Sequence, residues 1–148
     1  MLTKKQSLYS VVGKKVSRVD AHEKIDGSAK YVDDLAFDGM LFARMVCSTI
    51  PSGRIKKIDK SRALKLKGVS AVLTAADITG LNKIGCVVDD QPLLADGVVR
   101  FAGEPLAIVA AETRAIAEEA AGLVDIEYEP LEPVLTVDES FSEKIMVH

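Results

Sequence analysis

Hydrophobic and polar positions along the chain follow two periods, and the places where one gives way to the other outline the elements. "LFARMVCST", Leu41 to Thr49, is a strand-like run set between the turn formers Asp38-Gly39 and Pro51-Ser52-Gly53. "RIKKID", Arg54 to Asp59, alternates apolar and charged side chains, the pattern of a strand with one face in water. "DKSRALKLKG" then reads as a helix: Asp59 or Ser61 can accept from the free first-turn N–H groups, and Gly68 can end it in the left-handed conformation. "VSAVLTAAD" returns to a strand, after which Thr74 can start a short helical turn that stops at Gly80. "LNKIGCVVDDQPLLADG" has no period and reads as a surface loop.

In the stretch from Val98 to Ala111, "VVRFAGEPLAIVAA", the run that follows the Gly-Glu-Pro corner is apolar on both alternating faces. Leu106, Ile108 and Ala110 share one face and Ala107, Val109 and Ala111 the other, so the strand is covered on both sides and central in its sheet. "TRAIAEEAAGLV" changes to the helical period, with Thr113 as N-cap and Ile116, Ala120, Leu123 and Val124 on one stripe. "VDIEYEPLEPVL" alternates again, with Val124, Ile126 and Tyr128 inward, until Pro130 and Pro133 end the pairing. Towards the start, Met1 to Ser17 is a polar, lysine-rich arm, and Arg18 to Asp34 places the turn formers Asp26, Gly27 and Ser28 before a strand-like "AKYVDD". The pattern predicts an α+β domain in which two main helices pack on one face of a mixed sheet. We expect residues 1–17 to be an arm, 18–137 the domain, and 138–148 the start of a linker.

Composition narrows the function. The 148 residues are 48% hydrophobic and 28% charged, an ordinary balance for one globular domain that needs no disulfide or metal to hold a core. A net charge of -3, 5% aromatic residues and no Trp argue against a nucleic-acid binder, which is normally basic and offers stacking rings. The start has no apolar signal-peptide core, and no apolar run approaches the length of a membrane span, so a cytoplasmic chain is expected. Cys47 and Cys86 lie far apart and outside any C-x-x-C pattern, which reads as two small half-buried thiols.

Candidate chemistry is sparse. Nucleotide-binding glycine loops and the H-E-x-x-H pattern are absent, and His22 and His148 stand apart from any metal or triad spacing. Asp33-Asp34 and Asp89-Asp90 could do acid–base work only if their surroundings separated their pKa values; adjacent turn carboxylates more often stay solvated. The run Lys56, Lys57, Lys60, Arg62, Lys65 and Lys67 could meet an anion, yet it also fits the wet side of a strand and helix. Lys60 in "IDKSRA" is not a carrier lysine, because it opens a helical pattern instead of crowning a hairpin. What stands out is the corner Gly103-Glu104-Pro105, where one residue permits unusual backbone angles and another fixes φ and lacks a donor.

"VGKKVSRVDAHEKIDGSAKYVDDL", "GVSAVLTAADI" and "PLLADGVVRFAGEPLAIVAAETRAIAEEAAGLVDIEYEPL", in that order, resemble one family from about Val12 to Leu135. This is the amino-terminal α/β-hammerhead domain of the molybdenum-containing large subunit in the xanthine dehydrogenase and aldehyde oxidase family. The resemblance implies a pair of strands bent away from the main sheet, with part of the bend at Gly103 to Pro105. It implies a whole enzyme that hydroxylates purines, aldehydes or related heterocycles with oxygen from water, using molybdenum–molybdopterin, iron–sulfur clusters and FAD. The family's catalytic Glu and pterin-binding loops belong to later domains, so no catalytic, cofactor-binding or metal-binding residue carries over to this chain. Family members typically continue beyond a Val-His like that of "KIMVH", so the chain reads as a fragment or a separately encoded subunit.

The expectation is therefore a non-catalytic scaffold and docking domain, inactive by itself. Its partners would be the pterin-binding domains and the parts carrying FAD and iron–sulfur clusters, and it would self-associate when isolated. Phe101, Gly103, Glu104 and Pro105 are its candidate interface residues. The rivals are a stand-alone ligand- or protein-binding module with a hammerhead fold, and a small enzyme using Asp89, Asp90 or Glu104.

Overall fold

The computed structural model describes residues 11–85, 87–142 and 145–146, so Cys86 and His148 lie outside the described residues. The chain divides into two compact units, Met1–Asp38 and Gly39–His148. In the first, helix α1 spans Ala21–Asp26 and carries no buried residue, and His22 stands exposed on it. The expected strand over "AKYVDD" is a 3-10 turn, Val32–Asp34. The Asp34 carboxylate accepts the Tyr31 N–H at 3.0 Å and the Leu35 N–H returns to the Val32 carbonyl, so local bonds take the groups a ladder would need.

Among the described residues the second unit holds six strands: β1 Phe42–Cys47, β2 Gly53–Asp59, β3 Val69–Thr74, β4 Val98–Val99, β5 Pro105–Ala111 and β6 Asp125–Pro130. They form two three-stranded sheets, ordered β1-β5-β3 and β4-β2-β6, and every pairing is antiparallel. The single mixed sheet expected from the element order is thus two antiparallel ones. The cause lies in the Val98–Ala111 run, which the corner at Gly103 divides between the sheets. Gly103 has φ +92°, outside any strand geometry, and Pro105 restarts the chain as β5. As the two apolar faces require, β5 is the centre of its sheet.

Helix α3, Arg114–Ala121, follows β5, and the Ile116 N–H donates to the Thr113 hydroxyl at 3.2 Å as the capping pattern predicts. It packs on the first sheet, and Ala120 and Val124 are buried there with Val46, Val72, Ala107 and Val109. A second core cluster, Ala95, Val99 and Leu106 with Ile55, Ile126 and Tyr128, joins the other end of β5 to the second sheet. Helix α2 is shorter than expected, Ser61–Leu64 only. Its continuation closes through tighter bonds, Lys65 N–H to Arg62 carbonyl and Leu66 N–H to Ala63 carbonyl, before Gly68 turns with φ +90° into β3. Helix α4, Val137–Phe141, lies where the sequence pattern predicts no element; Thr136 and Glu139 form a capping box at its start.

Candidate functional site

The chain crosses between the sheets twice at one place. Residues 48–52 lead from β1 to β2, and residues 100–104 lead from β4 to β5. The two crossings run side by side: the Gly103 N–H donates to the Ser48 carbonyl at 2.8 Å, and the Ser48 N–H donates to the Glu104 carbonyl at 2.9 Å. A register shift at Val46/Cys47 starts the departure from the regular ladder. This is the bent strand pair that the resemblance implies, and Gly103 to Pro105 is part of the bend.

The side chains of the crossings are locked from inside. Ser48 and Glu104 are the buried polar residues among those described, 6% and 1% exposed. The Ser48 hydroxyl donates to the Ile50 carbonyl at 2.8 Å and accepts the Ile50 N–H at 3.1 Å, closing the first crossing on itself. Glu104 Oε2 accepts the Arg100 N–H at 2.5 Å. Its Oε1 has no hydrogen bond and faces the Arg100 guanidinium at 3.6 Å. Of the four candidate interface residues, Phe101 is 43% exposed at the outside of the bend and Gly103 is also exposed. Pro105 is half-buried, and the Glu104 side chain is enclosed by the chain itself. Sequence reasoning missed Ser48, because a serine between a strand and a Pro-Ser-Gly turn carries no signal of burial.

Elsewhere, four members of the basic run are engaged in local ion pairs. Lys56 pairs with Glu129, Lys57 with Asp59, Lys60 with Asp77 and Arg62 with Asp125. Lys60 Nζ also donates to the Val72 carbonyl at 3.0 Å, which fixes it between β2 and β3. Its ammonium, with the Thr74 N–H and hydroxyl, lowers the Asp77 carboxyl to about 2. The Ser61 hydroxyl and N–H, with Lys57, hold Asp59 well below the usual carboxylate range. Asp33, Asp34, Asp89 and Asp90 are exposed.

A cleft of about 410 Å³ between β1, α3 and β6 contains exposed Cys47, with Thr49 and Tyr128. Its two charged groups, Arg44 and Glu118, already pair with each other at 3.3 Å. A pterin cofactor needs a phosphate cradle and several free donors, and this lining does not fit one. Among the described residues no group of three or more His, Cys, Asp or Glu side chains could hold a metal ion, and no helix is long and apolar enough to cross a membrane.

Residues 26–132 match the family model described as the aldehyde oxidase and xanthine dehydrogenase a/b hammerhead domain. The nicotinate dehydrogenase large molybdopterin subunit of Eubacterium barkeri is 41% identical over 135 residues, covering 91% of this chain and 32% of its own length. A probable xanthine dehydrogenase subunit of Bacillus subtilis is 44% identical over 115 residues, which are 78% of this chain and 15% of that one. The crystal structure of quinoline 2-oxidoreductase from Pseudomonas putida 86 superposes with a TM-score of 0.83 at 36% identity, over 91% of this chain and 18% of the other. The chain thus spans about a third or less of the length of these relatives. A family model covering most of the chain, with the bent strand pair in place, shows that it belongs to the aldehyde oxidase and xanthine dehydrogenase family as an α/β-hammerhead domain.

Proposed function

We propose that this chain is a non-catalytic scaffold and docking domain of a molybdenum hydroxylase large subunit acting in the cytoplasm. The whole enzyme would hydroxylate a purine, an aldehyde or a related heterocycle with oxygen from water. Its molybdenum–molybdopterin would be held by the pterin-binding domains of the large subunit, and its iron–sulfur clusters and FAD by further domains or subunits.

The observation that carries this reading is the use made of Glu104. A proton-transfer carboxylate must reach a substrate, but this one is 1% exposed and accepts the N–H of Arg100 within its own corner. Its role is to hold a bend, which is scaffold work. Phe101 and Gly103 then form the outward surface of that bend, with Glu104 and Pro105 holding it from beneath.

The test is direct. After native purification the chain should carry no pterin and no molybdenum, and it should reduce no electron-acceptor dye when purines, aldehydes or N-heterocycles are added. Stoichiometric pterin, or substrate-dependent dye reduction abolished by Glu104→Gln, would overturn the reading.

A further inference from the structure

The first sheet has one face covered by α3 and one face open. Cross-strand register places Met45, Ile108 and Leu73 in one row and Ala43, Ala110 and Ala71 in the next, all on the side away from α3. Met45 is 56% exposed and Leu73 45% exposed, and Ala43 beside them is exposed as well. The three strands contain a single charged residue, Arg44, and it turns to the other face to pair with Glu118 of α3. A sheet face in contact with water normally alternates to polar residues, and this one does not. A contiguous uncharged apolar patch of this kind marks an interaction surface.

We infer that the open face of the first sheet is a docking surface, and that its occupant is the large-subunit polypeptide outside the hammerhead domain, contacting it through an apolar, uncharged patch. This rests on the docking role proposed above and says which surface performs it. Two observations select the occupant. With no charge on the face, a charged or strongly polar partner would lose its hydration and gain nothing in return. In the relatives the matching segment is only 15–32% of the polypeptide, so each carries a large further body of chain to every hammerhead. The face is continuous at Leu106 with the core that holds the bend, so it offers a rigid surface.

A photoreactive phenylalanine analogue placed in turn at Met45, Leu73, Phe101 and Glu119, in the chain expressed in its own cells, tests the inference. Cross-linked peptides are identified by mass spectrometry. Positions 45 and 73 should cross-link to large-subunit sequence beyond the hammerhead, and position 119, on the water side of α3, should not. Met45→Lys with Leu73→Lys should cut recovery of the assembled large subunit at least tenfold. The same pair should leave the unfolding midpoint of the isolated chain within a few degrees of the parent, because both side chains stand partly in water. Cross-links from 45 and 73 only to a second copy of this chain would overturn the inference. So would large-subunit cross-links from 101 or 119 without any from 45 and 73, with the docking role surviving. Large-subunit cross-links from none of the four positions would overturn both.

Discussion

The Glu104 carboxylate is removed from water with its two oxygens unequally served. Oε2 receives a short backbone hydrogen bond, whereas Oε1 has only a guanidinium at 3.6 Å. Glu104→Ala leaves the Arg100 N–H without its partner and a charge without its counterpart, and it should cost about 3 kcal/mol in urea unfolding. Glu104→Gln keeps an acceptor at the same place, and its cost should be closer to about 1 kcal/mol. Equal losses for the two variants would show that the hydrogen bond to Arg100 contributes little. The corner was legible in the sequence, since Gly103 and Pro105 flank this residue. The direction of its side chain was not, because a bend breaks the strict in–out alternation from which direction is read.

Among the elements, two whose opening threonine stands next to an apolar strand were read correctly. Thr113 and Thr74 both begin the helical turns assigned to them. The errors have physical causes of the same kind. "AKYVDD" has strand-like spacing, but Asp34 bonds the backbone of Tyr31 and closes a turn. Helix α4 is not evident in the sequence although "TVDE" carries a capping box, because it is five residues long and its one apolar pair, Val137 and Phe141, is too short a period to distinguish a helix from a loop. Asp77 shows how such a cap responds to pH. Its carboxyl is lowered from 3.8 to about 2, so the folded chain binds the proton less tightly than the unfolded chain. The stabilisation is therefore present above pH 3.8 and is lost as pH falls towards 2. Thermal unfolding between about pH 5 and pH 2.5 should show a fall in midpoint that is shallower in Asp77→Asn; parallel curves for the two proteins would contradict this.

At the scale of the molecule, the fold class and the central place of β5 were legible, but the division into two sheets was not. Strand order gives no sign of which sheet a strand joins, and a corner such as that between Val99 and Pro105 marks a bend without saying that the chain changes sheet there. The open face gives the isolated molecule a tendency of its own. With Met45 and Leu73 in water, the purified chain should self-associate reversibly as concentration rises. Sedimentation velocity over a hundredfold range of concentration would show it, and Met45→Lys with Leu73→Lys should abolish it. A strictly monomeric parent chain would contradict the prediction.

The position of β5 in the chain also constrains how the protein is made. Phe42 and Val69 both pair with Ala111, and β1 and β3 have no ladder with each other. Synthesis runs from the amino terminus at roughly 5–20 residues per second, so both outer strands wait on the ribosome for a middle strand not yet translated. For those seconds each presents unpaired backbone on both sides, the state most prone to aggregation. A nascent chain arrested before β5 has left the ribosome should therefore be a chaperone substrate, and one arrested after β5 has emerged should not.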